Sequence, residues 1–156
     1  MVKLVDEMEL VIFIGVPASG KSTFYKQRFV DTHIRINLDM LHTRHRENIL
    51  VEACLTAKQP FVVDKTNVTQ QLRANYISKA QATGCRVIGY YFQSKVSIAL
   101  ERNAQREGKQ RTPDKGILGM AKRLDLPSFS EGFDQLFYVC IDEHGQFIVE
   151  EWQDGL

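Results

Sequence analysis

The stretch GVPASGKST at residues 15–23 constrains the fold of this chain more than any other feature, because it fits the pattern G-x-x-x-x-G-K-[ST]. Gly15 and Gly20 permit a tight turn whose backbone N–H groups can surround phosphate oxygens. The apolar run LVIFIG ends in this stretch and STFYKQRFV continues from it, so the required order of strand, loop and helix is present. The stretch therefore predicts a phosphate-binding loop at the carboxyl end of a strand.

The residue types in this loop indicate which ligand it binds. Lys21 would reach the β- and γ-phosphates as a point charge, and Ser22 would offer its hydroxyl to Mg²⁺. The following helix adds the positive end of its dipole. We therefore expect a nucleoside triphosphate, ATP, with Mg²⁺. The predicted nucleotide-binding residues of the loop are Gly15, Pro17, Ala18, Ser19, Gly20, Lys21, Ser22 and Thr23.

Length and composition limit the architecture. A chain of 156 residues, 44% hydrophobic and 25% charged, is typical of a globular protein, and we expect one domain over residues 1–156. The N-terminus lacks a signal-peptide core and no apolar run reaches the length of a membrane span, so we expect a cytoplasmic protein without membrane contact. The three cysteines show no C-x-x-C spacing and the four histidines no metal-site spacing, so we predict neither a disulfide nor a structural metal.

Hydrophobic periodicity predicts that strands and helices alternate. We expect strands near 9–14, 33–37, 60–64, 85–92 and 136–141, and helices near 20–30, 40–58, 69–83, 95–107 and 114–123. The chain should end in a turn at 143–145 and a short hairpin return. This order predicts an α/β fold, a three-layer α/β/α sandwich around a central parallel sheet, with ligands at the carboxyl ends of the strands.

INLDM at residues 36–40 follows the second predicted strand. Asp39 would then lie at the same edge of the sheet as the phosphate-binding loop, where a carboxylate can orient an attacking hydroxyl and accept its proton. An aspartate in this position can equally cap the next helix. Both interpretations of Asp39 remain open at this point.

FVVDKTN at residues 61–67 ends the third predicted strand with Asp64. This position suits the outer coordination sphere of Mg²⁺, or a contact to the loop residues Ser22 or Lys21. The alternative is a helix cap, which is less favoured because the stretch from Asn67 to Gln70 already supplies capping residues.

ERNAQREGKQRTPD at residues 101–114 is rich in positive charge although the net charge of the whole chain is only +1. Arg102 and Arg106, four positions apart, would share one helix face and could clamp a triphosphate from the side opposite the loop. Gly108 and Pro113 mark a break between two helices, so we predict a helical lid at about 102–123. The alternative interpretation of these charges is a solvent-exposed helix face without a binding function.

The motifs GVPASGKST, INLDM, VVDKTN, ERNAQR and LPSFSEGFDQLFYV, in this order and spacing, closely resemble the 5′-hydroxyl polynucleotide kinase family, the kinase domain of phage and animal end-healing enzymes. The resemblance covers about residues 10–142. It implies a P-loop kinase fold that transfers the γ-phosphate of ATP to a single-stranded 5′-OH end of DNA or RNA. It also implies Asp39 as general base, Asp64 as support for the site, and Arg102 and Arg106 as lid arginines, of which one stabilises the transferring phosphate.

The chain also departs from that family. Leu38 and His42 stand where members often carry arginine, and Arg44, His45 and Arg46 could contact the acceptor phosphate instead or be solvated charges. The sequence contains no D-x-D-[ST] phosphatase motif, so a ligase or phosphatase partner would be separate.

Two other functions stay open: a kinase of the same fold acting on a sugar, nucleoside or antibiotic, and an ATP-binding accessory or toxin-like module with poor turnover.

Overall fold

The structure, a computed structural model, describes residues 8–153. A six-stranded sheet in the order β2-β3-β1-β4-β5-β6 runs through this part of the chain. The first five strands are parallel to their neighbours, and β6 is antiparallel to β5. The strands are β1 (Glu9–Ile14), β2 (Ile34–Ile36), β3 (Phe61–Val63), β4 (Arg86–Phe92), β5 (Gln135–Ile141) and β6 (Phe147–Glu151).

Helices cover both faces of this sheet. They are α1 (Lys21–Arg28), α2 (Leu38–Leu41), α3 (Arg44–Ala57), α4 (Gln70–Ala82), α5 (Val96–Ala104) and α6 (Asp114–Arg123), with 3₁₀ turns at Gly108–Gln110 and Phe129–Glu131. Phe24 and Phe29, from α1 and the residue after it, pack on one face, and side chains of α3 and α4 pack on the other. The central strands are therefore buried on both sides, which explains the continuous apolar run of β1. The predicted α/β sandwich is confirmed.

The predicted helix at 40–58 is wrong in one respect, because the chain forms two helices there. His42, between α2 and α3, has a φ of 71°. Thr43 then starts α3, its side chain accepting a hydrogen bond from the backbone N–H of Arg46. A residue in this backbone conformation ends a helix, so α2 stops here and α3 begins as a separate helix.

The predicted helix at 95–107 also ends early, at Ala104. The buried side chain of Asn103 explains the end, because its Oδ1 accepts the backbone N–H of Thr112 at 2.9 Å and its Nδ2 donates to the carbonyl of Thr112. Asn103 thereby closes residues 104–111 into a tethered loop before α6.

Among residues 8–153, no helix combines the length and the apolar character that crossing a bilayer requires.

Gly89 lies where β4 meets the side chains of Phe133 and Leu136. A methyl group on Gly89 would lie 2.6 Å from Leu136 Cδ1 and 2.7 Å from Phe133 Cε1, whereas one on Gly119 in α6 would meet nothing within 4 Å. We expect Gly89→Ala to lower the free energy of unfolding by about 1–3 kcal/mol through overpacking. Gly119→Ala, the control, should raise it by up to about 1 kcal/mol, because alanine favours a helix over glycine. Urea unfolding measures both, and an unchanged Gly89→Ala would contradict this account of the packing.

Candidate active site

The loop between β1 and α1 has the geometry that its glycines predict. A Cβ on Gly15 would lie 3.0 Å from Ser19 Oγ and 3.1 Å from Phe92 Cβ, and Gly20 has a φ of 100°. The neighbouring strand ends hold the loop in place. The Gly15 N–H donates to the carbonyl of Thr66 at 2.9 Å, and the Val16 N–H donates to Ser94 Oγ at 3.1 Å. The loop is thus fixed from both sides before any ligand binds.

This loop presents a row of unused backbone donors. Within residues 8–153, no backbone N–H from Ala18 through Thr23 donates to an acceptor of the chain. Ala18, with a φ of 64°, and Gly20 turn the backbone so that the row leads into the first turn of α1. Consecutive free N–H groups and the positive end of a helix dipole form an anion-binding concavity. The loop can therefore bind phosphate.

Lys21 is buried and folds back onto the loop. Its Nζ donates to the carbonyls of Gly15 at 3.0 Å and Val16 at 2.7 Å, and to Ser19 Oγ at 3.3 Å. Burial lowers the pKa of Lys21 from its ordinary 10.5 to about 8; the carboxylate of Asp64 raises it and the charge of Arg106 lowers it further. An incoming phosphate would supply the anion that this ammonium group lacks.

Asp64 joins the ends of β3 and β2 to α1. Its Oδ2 accepts hydrogen bonds from Ser22 Oγ at 3.0 Å and from Arg35 Nε at 2.8 Å. Arg35 Nη2 in turn donates to Ser22 Oγ at 2.9 Å. Asp64 caps no helix, because Thr69 caps α4. The structure thus brings together the two residues predicted to act at the metal.

The oxygen atoms of Ser22 and Asp64 fit Mg²⁺. This ion prefers hard oxygen ligands, keeps several water molecules, and binds proteins through one or two side chains together with substrate phosphates. A hydroxyl and a carboxylate at the edge of a phosphate-binding loop provide such a set. Within residues 8–153 there is no cluster of three or more His, Cys, Asp or Glu side chains that would hold a metal without phosphate.

Asp39 lies in α2 at the same edge of the sheet and is exposed. The structure contradicts its interpretation as a helix cap, because Asn37 does this: its Oδ1 accepts the N–H of Met40 at 3.1 Å, and its Nδ2 donates to the carbonyl of Asp64 at 2.9 Å. Within the described residues, the carboxylate of Asp39 has no hydrogen bond or ion pair. It is available to a ligand.

The predicted shared helix face of Arg102 and Arg106 is wrong, because α5 ends at Ala104 and Arg106 lies beyond it. The two arginines also differ in their contacts. Arg106 is close enough to Lys21 for its charge to lower the pKa of Lys21, and its Nη1 donates to the carbonyl of Gln110 at 3.3 Å. The half-buried side chain of Arg102 makes no hydrogen bond or ion pair within residues 8–153. Helices α5 and α6 pack on the loop through Ala99 and Ile117, which form a small cluster with Val16.

Four residues that the sequence patterns did not indicate also shape the site: Arg35, Glu47, Lys65 and Tyr76. In the sequence, Arg35 is an ordinary charged residue of a short strand. Only its contacts to Ser22 and Asp64 in the folded chain show that it belongs to the site. Lys65 is one residue past Asp64, and its Nζ binds the buried Glu47 at 3.1 Å and Tyr76 Oη at 3.0 Å. The pairing of Lys65 with Glu47 joins two segments far apart in the sequence, so only the folded chain shows it.

The remaining predicted loop positions differ in exposure. Ala18 and Ser19 are buried, Pro17 is half-buried and Thr23 is exposed on α1.

The lowered pKa of Lys21 predicts pH-dependent nucleotide binding. Bound phosphate stabilises the ammonium form, so the affinity for an ATP analogue should be constant below pH 8 and fall by up to about tenfold per pH unit above it. Fluorescence titration of a labelled ATP analogue between pH 6.5 and 9.5 measures this. Lys21→Met should bind weakly without the slope, and Lys26→Met, on the exposed face of α1, should keep it. A slope that survives in Lys21→Met would refute the assignment.

Sequence comparison relates this chain to proteins of known activity. The profile of the family described as AAA domain matches residues 10–127. The chain is 26% identical over 146 residues to the bifunctional polynucleotide phosphatase/kinase of Schizosaccharomyces pombe, covering 89% of this chain and 36% of that protein. It is 25% identical over 145 residues to L-seryl-tRNA(Sec) kinase of Methanococcus maripaludis, covering 80% of this chain and 56% of that protein. The chain thus spans well under two thirds of either relative.

Comparison with solved structures gives the same fold. The crystal structure of Chaetomium thermophilum Kti12 in complex with ADP-AlF3 superposes with a TM-score of 0.63 at 18% identity, over 87% of this chain and 92% of that one. At this identity the likeness shows the fold. Both curated relatives are named as kinases, and with the family match they support a phosphotransferase. The chain belongs to the AAA domain family, as a P-loop kinase related to the polynucleotide kinases, which confirms the resemblance predicted from its motifs.

Proposed function

We propose that this protein transfers the γ-phosphate of ATP to a 5′-OH end of DNA or RNA, and that residues 1–156 act as one kinase domain with a lid at about 102–123. The observation that carries the catalytic part is the free, exposed carboxylate of Asp39 at the sheet edge that holds the phosphate-binding loop. The acceptor class rests on the name of the polynucleotide phosphatase/kinase. The second relative is named for seryl-tRNA, which carries a serine hydroxyl as well as an RNA.

In this proposal the loop binds the triphosphate. The free backbone N–H groups from Ala18 to Thr23 surround the phosphate oxygens, and Lys21 exchanges the carbonyls of Gly15 and Val16 for phosphate. Ser22, supported by Asp64, would hold Mg²⁺, which would neutralise charge on the phosphates of the nucleotide. The chain thereby fixes the γ-phosphorus beside the carboxyl ends of β1, β2 and β3.

Asp39 acts as the general base. In a loose transition state the carboxylate mainly orients the hydroxyl and accepts its proton late. The carboxylate must, however, have no hydrogen-bond or ion-pair partner within the chain. Asn37 meets this requirement, because it caps α2 and leaves Asp39, two residues later, without an intramolecular partner.

Arg106 and Arg102 act from the lid. The charge of Arg106 already lowers the pKa of Lys21, which supports a role for both side chains at one phosphate. An arginine that stabilises the charge on a transferring phosphoryl group accelerates the reaction by about 10³-fold or more. Arg102, on α5, has a side chain without a partner in the described chain and would contact the nucleotide as well, whereas Arg106 lies beyond the end of that helix.

The acceptor would lie between the lid and the start of α3. Arg44, His45 and Arg46 are exposed at the first turn of α3, and Lys109 and Arg111 are exposed in the tethered loop of the lid. These side chains can contact the phosphates of a single strand while its 5′-OH faces Asp39. A ligase or phosphatase partner also belongs to this proposal, because the S. pombe relative is named as a phosphatase as well as a kinase.

One observation favours a second candidate, a small-molecule kinase of the same fold. Leu38, half-buried, and His42 stand beside Asp39, so neither of these positions supplies an arginine for an acceptor phosphate. A compact alcohol such as a sugar or nucleoside would not need those contacts. The third possibility, an ATP-binding accessory module, predicts nucleotide binding without acceptor-dependent turnover.

Phosphate transfer to an oligonucleotide tests the proposal. With γ-labelled ATP, Mg²⁺ and a short 5′-OH RNA or DNA, the unchanged protein should label the oligonucleotide. Asp39→Asn should lower kcat by about 10²- to 10⁴-fold because it removes the proton acceptor, and it should leave ATP-analogue affinity unchanged. Asp31→Asn, another exposed aspartate near β2, is the matched control and should keep full activity.

Asp39 is not the general base if Asp39→Asn retains full kcat. Label on sugars or nucleosides but on no oligonucleotide would establish the small-molecule kinase, and ATP binding without labelling of any acceptor would establish the accessory module.

Salt dependence separates the two kinase candidates independently of turnover. Oligonucleotide affinity should fall steeply between 50 and 200 mM salt, because each lysine or arginine contact releases counterions. Lys109→Gln and Arg111→Gln should each reduce the slope of log affinity against log salt by about 0.7. Lys26→Gln on α1 is the control. Fluorescence anisotropy measures these slopes, and an affinity indifferent to salt would contradict a nucleic-acid acceptor.

A further inference from the structure

Arg35 occupies a position that the phosphate-binding motif does not specify. Its Nε contacts Asp64 Oδ2 at 2.8 Å and its Nη2 contacts Ser22 Oγ at 2.9 Å. It therefore touches both oxygen-bearing side chains that fit Mg²⁺. The Arg35 guanidinium also lies 5.7 Å from the ring centroid of Tyr25, whose hydroxyl is fixed on the carbonyl of His33 at 2.7 Å.

The hydrogen bonds of Ser22 leave room for a metal. A hydroxyl has one proton and two lone pairs. Ser22 Oγ donates its proton to Asp64 and accepts one N–H from Arg35, so one lone pair stays free. Arg35 thus holds the hydroxyl in one orientation without closing the coordination position. Its positive charge, however, remains beside that position.

We infer that Arg35 takes the place of Mg²⁺ as the counter-ion of Asp64 while no metal is bound. Its charge then raises the Mg²⁺ concentration at which the nucleotide complex forms. This inference rests on the proposed function, because it takes ATP and Mg²⁺ as the ligands. In the nucleotide-free protein the guanidinium balances Asp64, whose side chain is 2% exposed and would otherwise be a buried, unpaired carboxylate.

The charge of Arg35 outweighs its positioning effect. Fixing one hydroxyl rotor contributes no more than an ordinary hydrogen bond. Repulsion between a guanidinium and a divalent cation that share two ligand side chains in a poorly solvated site is larger. The side chain of Arg35 is 23% exposed, unlike the fully buried Arg73 of the ion pair with Glu131, so Arg35 has space to move when a cation arrives.

Mg²⁺ titration of nucleotide binding tests this inference. Affinity for a non-hydrolysable fluorescent ATP analogue is measured against Mg²⁺ concentration and in EDTA. Arg35→Gln keeps an N–H donor for Asp64 and removes the charge, so its half-saturating Mg²⁺ concentration should fall by about tenfold. Arg35→Lys keeps the charge and should stay near the unchanged protein. Arg28→Gln, an exposed arginine of α1 that stacks on Phe24, controls for general charge.

Mn²⁺ binding to the ATP-analogue complex, followed by electron paramagnetic resonance, should shift in the same direction. Arg35→Met, also uncharged, must behave as Arg35→Gln does, and thermal unfolding checks that each variant is folded. The inference is overturned if the uncharged variants need as much Mg²⁺ as the unchanged protein or more, or if Arg35→Lys shifts with them. An unchanged protein that binds no ATP analogue would overturn both proposals, whereas a Mg²⁺ shift without phosphate transfer would sustain this inference and refute the transfer.

Discussion

The buried carboxylate of Asp64 is the interaction on which the rest of the site depends. It lies at the end of β3 and binds Ser22 of α1 and Arg35 of β2, while its own carbonyl accepts the side chain of Asn37. An ionised group with 2% exposure is unfavourable unless hydrogen bonds and charge compensate it. Because the two partners of this carboxylate come from α1 and β2, satisfying Asp64 fixes how β2, β3 and α1 meet at one edge of the sheet.

The same edge receives its other residues from this arrangement. Asn37 is held by Asp64 and caps α2, so the first turn of α2 begins at a fixed point and Asp39 follows on the exposed side. Thr66, two residues after Asp64, accepts the backbone N–H of Gly15 and fixes the start of the phosphate-binding loop. The backbone that follows β3, through the carbonyls of Asp64 and Thr66, therefore links the position proposed for the general base to the loop proposed for the phosphates.

Local patterns predicted the sheet, the loop and the order of helices, because apolar runs and glycine spacing are properties of short segments. They failed where long-range contacts decide. The turn at His42 separates α2 from α3, and Glu47, whose partners are Lys65 and Tyr76, is buried on α3 whereas the apolar Ile49 is 54% exposed. Arg35 was missed for the same reason, since its role lies in partners 13 and 29 residues away.

The positive charges of the site explain how binding and closure can be coupled in the proposed function. Arg35 pairs with Asp64, and the charges of Asp64 and Arg106 act on the pKa of Lys21 in opposite directions. Without phosphate, Lys21 and Arg106 repel each other, so approach of the lid arginine is unfavourable. A triphosphate in the loop turns both into partners of the same anion, and the repulsion becomes a shared attraction. Lid closure would then follow nucleotide binding, because the nucleotide removes the electrostatic cost of bringing Arg106 to Lys21.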